Sequence, residues 1–230
     1  MDLDVSLSSL TATARLTIAT EHAEVALEAA GLVVTAVRDG DGAAQSFHHD
    51  GWSLTVPVAP GVSQVEIDYV FAKRGSDGWL TTGTTLTWPY HCGNLFPCLS
   101  SPTEGIAFTL AVSDAPAGEA LVYPIAVTAE VPAYVVAWAS GAYAELKLGT
   151  TPRGTALSVW HLPGKAGSVE GNWGIGAYGG MEHHPIGTWP RPRWTTTPST
   201  FTKRRTAGSA TRSAWPAGRI SCSARAPSAI

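Results

Sequence analysis

The stretch Val65-Glu66-Ile67-Asp68-Tyr69-Val70 indicates the fold class, because apolar residues at 65, 67 and 69 alternate with acidic ones. In an extended strand, successive side chains point to opposite faces, so this alternation directs one face toward a core and the other toward water. The same pattern predicts further strands near residues 3–7, 12–18, 25–27, 32–34 and 52–56. Turn signals separate them at 39–42, 49–51 and 60–61. Such spacing favours an all-β fold built as an antiparallel β-sandwich.

The second half of the chain continues this pattern and then loses it. Strands are predicted at residues 105–112, 120–128, 133–148 and 155–161. After Pro185 neither a strand period nor a helical period remains, and the composition of 186–230 is typical of a disordered segment.

The charges also change near residue 185. All 18 acidic residues lie within 1–185, whereas 8 of the 15 basic residues lie within 186–230. The net charge of −3 hides this asymmetry. So abrupt a change indicates a boundary in the chain.

Hydropathy argues against association with a membrane. No run of about 18 apolar residues occurs, so no membrane-spanning helix is expected. The start, Met1-Asp2-Leu3-Asp4, lacks the basic residues and apolar core of a signal peptide. We therefore expect a cytoplasmic protein without a membrane partner.

The cysteines and the paired histidines raise the question of a metal site. Cys92, Cys98 and Cys222 form an odd, low count, which argues against a disulfide framework. A structural metal needs about four ligands at suitable spacing, and no second cysteine pair accompanies Cys92 and Cys98. We interpret Cys92 and Cys98 as two buried thiols in a turn. Adjacent histidines such as His183-His184 point to opposite faces of an extended chain, so they do not predict a shared ion either.

Two short motifs, in order behind an extended β-region, resemble one family. Asn94-Leu95-Phe96-Pro97-Cys98 resembles the Phe-Pro-Cys turn of zinc metallopeptidases of the aminopeptidase N family, which are gluzincins. The segment Gly179-Gly180-Met181-Glu182-His183 resembles their Gly-x-Met-Glu-Asn exopeptidase motif, with a departure at His183. The resemblance covers about residues 1–185. It implies an N-terminal β-domain over 1–162, a remnant of the catalytic domain over 163–185, and a tail over 186–230.

The resemblance implies a role for each residue of the second motif. In the family, the glutamate holds the α-amino group of a peptide, so Glu182 is the expected amine anchor. Gly179, Gly180 and Met181 are expected to lie along the peptide, because glycine lets backbones approach closely. The implied activity is removal of N-terminal residues from peptides. Peptide N-termini are thus the expected partners and zinc the cofactor of the intact family.

The zinc motif itself is missing from the chain. The family binds zinc through His-Glu-x-x-His on a helix, and no such pattern occurs in the 230 residues. In a shifted reading frame, each codon consists of the third base of one codon of this chain and the first two bases of the next. For a suitable choice of third bases, this frame reads Thr200–Ser209 as His-Ile-His-Glu-Ala-Ala-His-Gly-Trp-Phe. The same frame places a glutamate across Ala224 and Arg225, at the family's spacing for the third ligand. We interpret 186–230 as out of frame through loss of one base near the Pro185 codon, so that neither zinc nor a catalytic residue is expected in this chain.

Two other functions fit parts of the sequence. A non-catalytic β-sandwich binding module would use the Gly-rich segment 174–184 as a partner-binding edge. The basic tail with Trp189, Trp194 and Trp215 superficially suits nucleic acid. A frameshift in GC-rich DNA produces Arg, Pro, Ala and Ser without selection, so no nucleic-acid partner is expected.

Overall fold

A computed structural model of the chain describes residues 1–150, 152, 154, 156–164, 181–182 and 187–188. The chain divides into two compact units, Met1–Arg193 and Trp194–Ile230, and every described residue belongs to the first. Its strands are β1 Asp2–Ser6, β2 Thr11–Thr20, β3 Glu24–Glu28, β4 Val33–Asp39, β5 His48–His49, β6 Ser53–Pro57, β7 Gly61–Val70, β8 Lys73–Arg74, β9 Gly78–Leu80, β10 Thr85–Leu86, β11 Gly105–Ser113, β12 Ala120–Val122, β13 Ala126–Pro132, β14 Ala139–Gly141, β15 Ala144–Thr150, β16 Ala156–His161, β17 Met181–Glu182 and β18 Gly187–Thr188. The helical elements of the described residues are two short 3₁₀ turns, η1 Cys92–Asn94 and η2 Ala133–Val135. The predicted all-β class is confirmed.

A six-stranded sheet forms the larger layer, in the order β13-β11-β1-β2-β7-β4. Most of its neighbours are antiparallel, as predicted. The pair β1–β11 is parallel, with Asp2 opposite Thr109 and Ser6 opposite Ser113. A parallel pair needs a long crossover, and here the crossover carries most of the second layer of the sandwich.

The core lies on one face of this sheet, on the alternate residues that the sequence predicts. Val65, Ile67 and Tyr69 of β7 are 5%, 0% and 1% exposed. Neighbouring strands bury the matching positions Leu3, Val5, Ala12, Ala14, Phe108, Leu110 and Val112. The second layer contributes Leu27 from β3 and Leu54 and Val56 from β6, which belong to the same core cluster. The period of two along each strand therefore produces the sandwich.

Three aromatic side chains fill the core beside the small sheet β10-β9-β8. Trp138 stacks on Trp79 with ring centroids 6.0 Å apart and meets Phe71 edge-on at 6.4 Å. The Trp138 backbone is tied to β10, because its N–H donates to Thr85 Oγ1 at 3.1 Å. Aromatic pairs in these geometries add to the stabilisation that burial provides.

The predicted strand over 133–148 is wrong in part. Ala133–Val135 form η2, the next residues lie in the core, and strand pairing resumes at β14 and β15. A short apolar run buried on all sides has no alternation, so periodicity alone does not separate it from a strand. The predicted strand 120–128 is similarly divided, into β12 and β13, by residues 123–125.

Strands β15 and β16 form a two-stranded antiparallel hairpin.

Among the residues that the structure describes, no helix is long and apolar enough to cross a membrane.

Candidate functional site

The turn between Tyr90 and Cys98 holds the most distinctive chemistry of the described chain. It opens with Tyr90 at a φ of 70° and continues through η1. Cys92 and Cys98 form a disulfide with their Cα atoms 6.2 Å apart. The interpretation of two free thiols is therefore wrong, although both residues are buried as expected, at 0% and 5% exposure.

Local backbone geometry brings these two cysteines together. The N–H groups of Leu95 and Phe96 both donate to the Cys92 carbonyl, at 2.9 and 3.1 Å, which folds the turn back on itself. The Cα separation lies within the range that a disulfide spans. The odd cysteine count misled the prediction, because an odd count does not prevent two of the three cysteines from pairing; Cys222 lies outside the described residues.

Two backbone hydrogen bonds join the turn to the end of β3, and a third joins it to Gly31. Glu28 N–H donates to the Cys98 carbonyl at 2.8 Å, and Cys98 N–H donates to the Glu28 carbonyl at 3.2 Å. Gly31 N–H donates to the Gly93 carbonyl at 3.1 Å. A Cβ on Gly93 would lie 2.4 Å from Glu28 Cγ, so only glycine fits where the two segments touch.

This contact places a carboxylate beside the disulfide. The ligand atoms of Glu28, Cys92 and Cys98 all lie within 4.8 Å of one another. Glu28 Oε1 is buried and has no hydrogen-bond partner among the described residues. No sequence pattern points to Glu28, because this residue lies far from the cysteines along the chain and belongs to no motif.

The Asp77 carboxylate contacts two side chains of the same turn. Asp77, at a φ of 53°, accepts a hydrogen bond at 2.9 Å from the Asn94 side-chain amide. His91 Nδ1 lies 3.5 Å from the same Asp77 oxygen, and the His91 side chain is 45% exposed. These contacts join the turn that precedes β9 to η1, so we interpret them as structural.

The Phe-Pro-Cys residues of the first motif lie inside the protein. Phe96 is 1% exposed, and the Tyr69 hydroxyl donates to the neighbouring Leu95 carbonyl at 3.2 Å. Burial raises the pKa of Tyr69 well above its usual value. The motif therefore attaches the turn to the large sheet, and the Phe96 side chain is not accessible to solvent.

The exopeptidase motif is described only in part. Met181–Glu182 form strand β17, which pairs antiparallel with Gly187–Thr188 of β18. Gly179 and Gly180 lie outside the described residues, as do the side chains of Met181 and Glu182 and most of the segment 174–184. The amine-anchor role of Glu182 therefore stays a prediction. Backbone pairing does not depend on side-chain identity, so strand β18 does not test the interpretation of 186–230 as out of frame.

The solvent face of the large sheet carries a ladder of charges. Arg15 pairs with Asp4 and Glu66 at 2.6 and 2.9 Å, and Arg38 pairs with Glu66 and Asp68, each at 2.7 Å. Desolvation raises the pKa of Asp68, but the Thr13 and Arg38 hydrogen bonds outweigh it, so the net shift of that pKa is downward. Because each arginine is matched by carboxylates, we interpret this face as a charge-paired surface.

Several solved structures to which this chain is similar are zinc metallopeptidases or a leukotriene A4 hydrolase. A mutant M1 zinc metallopeptidase from Deinococcus radiodurans bound to a Tyr-Ser-Ala substrate matches with a TM-score of 0.62 and 16% identity, over 71% of this chain and 47% of that chain. A two-domain M1 zinc metallopeptidase mutant bound to L-tryptophan matches with a TM-score of 0.60, also at 16% identity over 71% of this chain and 47% of that chain. Native leukotriene A4 hydrolase from Saccharomyces cerevisiae matches with a TM-score of 0.56 and 17% identity, over 74% of this chain and 32% of that chain.

The low sequence identity and the partial coverage of these matches limit the similarity to the fold. No protein-family model matches the sequence, and a search of curated proteins found no match. The chain spans about half the length of the bacterial metallopeptidase that it matches. At this identity the similarity establishes the fold, which is that of the N-terminal β-sandwich of M1 zinc metallopeptidases.

Proposed function

We propose that this chain is a fragment of a zinc-dependent aminopeptidase that removes N-terminal residues from peptides. The observation that carries the proposal is the fold, a β-sandwich shared with M1 zinc metallopeptidases, at a TM-score of 0.62 to one bound to a tripeptide substrate. The two motifs occur in the order that the family uses, which also supports it. Zinc belongs to the intact enzyme, and peptide N-termini are its substrates.

The fragment is proposed to be inactive because its zinc motif is out of frame. The general base and the metal ligands of this chemistry come from the His-Glu-x-x-His helix, which activates a metal-bound water. The 230 residues contain no such motif, so this chemistry is not expected of the fragment. The substrate-binding residues Gly179, Gly180, Met181 and Glu182 would remain, but no hydrolysis follows from them alone.

The coding DNA provides the first test of the out-of-frame proposal. The third bases over Thr200–Ser209 are expected to be those that spell the zinc motif in the shifted frame. One base is then inserted at the Pro185 codon, and the gene is expressed to the end of its restored frame. This protein is expected to bind about one zinc and to hydrolyse an amino-acid anilide.

Two controls accompany that experiment. Insertion of two bases instead of one shifts translation into the third reading frame, and this product should show neither zinc binding nor turnover. The original chain, with its Cys92–Cys98 disulfide intact, should also give neither. Third bases that spell a different sequence, or zinc-dependent turnover by the original chain, would show that the tail is not a frameshift product.

The role of Glu182 is tested in the restored enzyme. Glu182→Gln removes the charge that pairs with the substrate ammonium, so kcat/KM is expected to fall by about 10- to 100-fold. Glu145→Gln, an exposed carboxylate on β15, is the matched control and should leave kcat/KM unchanged. Equal kinetics for Glu182→Gln and the unaltered enzyme would remove Glu182 from the substrate site.

A further inference from the structure

We infer that Glu28, Cys92 and Cys98 form a metal site that opens when the disulfide is reduced. The site would take a divalent cation that accepts thiolate ligands, with Zn²⁺ as the best match. This inference concerns the β-domain itself and does not depend on the proposed peptidase activity.

The donor atoms are already assembled. The two sulfurs and a Glu28 carboxylate oxygen lie within 4.8 Å of one another. Thiolates select Zn²⁺ and similar ions over Mg²⁺ or Ca²⁺, and a carboxylate oxygen completes such sets. Three protein ligands leave a fourth tetrahedral position for water.

Glu28 points to a ligand as well as to a packing role. Its Oε1 is buried and has no hydrogen-bond partner among the described residues. A buried carboxylate oxygen without a donor is costly, and such an atom calls for a specific explanation. A cation held by the two adjacent sulfurs would supply the missing interaction whenever the cysteines are reduced.

The backbone is expected to keep this geometry after reduction. Two hydrogen bonds fold the turn onto the Cys92 carbonyl, and two more pair Cys98 with Glu28, and all four join backbone atoms. Tetrahedral coordination at a Zn–S distance of about 2.3 Å places two sulfurs about 3.8 Å apart. With the Cα atoms 6.2 Å apart, rotation of the cysteine side chains is sufficient to reach this separation.

The reaction balances with an external reductant. A phosphine and one water molecule deliver two electrons and two protons to the disulfide, which yields two thiols and a phosphine oxide. Zn²⁺ then displaces the two thiol protons to solvent and binds the thiolates and the Glu28 carboxylate. A cellular dithiol would perform the same reduction and end as its own disulfide.

The test uses the full chain with Cys222→Ser, so that Cys92 and Cys98 are the remaining thiols. The protein is reduced with a water-soluble phosphine, desalted without oxygen and titrated with Co²⁺. The reduced chain is expected to bind about one Co²⁺ and to show thiolate-to-cobalt charge transfer with the visible bands of a tetrahedral site. Zn²⁺ should displace it, and the oxidised chain should bind neither ion.

Two variants decide whether the carboxylate takes part. Glu28→Gln is expected to weaken Co²⁺ binding by on the order of tenfold or more and to change the visible bands. Glu24→Gln, exposed on the same strand, is the matched control and should bind like the parent. Circular dichroism of each oxidised variant checks that the sandwich has formed.

Either of two results would overturn the inference. A reduced parent chain that binds no Co²⁺ would show that the turn does not hold a metal. Binding that survives Glu28→Gln with unchanged affinity and spectrum would leave a dithiol pair without the carboxylate.

Discussion

At the scale of single residues, the close contact between β3 and the turn over 90–98 depends on a missing side chain. Gly93 touches Glu28 and Ala29 so closely that an added Cβ would fall 2.7 Å from the Glu28 carbonyl carbon and 2.8 Å from the Ala29 nitrogen. Backbone atoms cannot move aside as the end of a long side chain does. The residue therefore sets the distance between the carboxylate and the disulfide.

Gly93→Ala is expected to lower the free energy of unfolding by about 1 to 3 kcal/mol, because the added methyl group forces the two segments apart. Urea unfolding followed by tryptophan fluorescence measures the change. Gly75→Ala is the control, since nothing lies within 4 Å of a Cβ at that position, and it should change the free energy of unfolding by less than about 0.5 kcal/mol. Equal effects of the two changes would contradict the close contact at Gly93.

At the scale of elements, the charge ladder crosses four adjacent strands on the solvent face of the large sheet. Its arginines, Arg15 on β2 and Arg38 on β4, bridge carboxylates on β1 and β7. Surface ion pairs are individually weak and gain when several share one network.

Asp68→Asn is expected to make stability less dependent on pH. The lowered pKa of Asp68 means that the folded state favours its charged form, so its contribution is present above about pH 4 and is lost as pH falls through the folded pKa. The variant should lose up to about 1 kcal/mol near neutral pH and almost nothing in strong acid.

Urea unfolding of both proteins at about pH 7 and about pH 2 measures this difference. Asp41→Asn, in the exposed turn after β4, is the control and should behave like the parent at both pH values. A loss for Asp68→Asn that is equal at the two pH values would mean that its charge contributes nothing.

At the scale of the whole molecule, the core draws on residues that lie far apart in the sequence. Leu3 near the N-terminus and Trp138 far along the chain are each 1% exposed and belong to one cluster. The sandwich is therefore complete only when β11 to β14 have joined β1 to β10. The predicted domain boundaries at 162/163 and 185/186 remain predictions.

A chain of residues 1–162 is expected to unfold cooperatively at the same urea midpoint as the full chain, because it contains every residue of the core cluster. A chain of residues 1–132 is the control and should fail to unfold cooperatively, since it lacks Ala133, Val136 and Trp138 of that cluster. Circular dichroism during urea titration measures both. A markedly lower midpoint for 1–162 would show that residues beyond 162 stabilise the sandwich.

The sequence by itself determined the all-β class, most strand positions in 1–113 and the lack of a His-Glu-x-x-His motif in the 230 residues. Alternation is a property of consecutive residues, so strands such as β7 are visible without knowledge of their partners. Only the tertiary structure decided the parallel pairing of β1 with β11, the Cys92–Cys98 disulfide and the position of Glu28 beside it. The strand pairing and the position of Glu28 join residues far apart in the sequence, and the local pattern of apolar residues does not specify such contacts. The two cysteines are only six residues apart, and their pairing depends on how the turn between them folds.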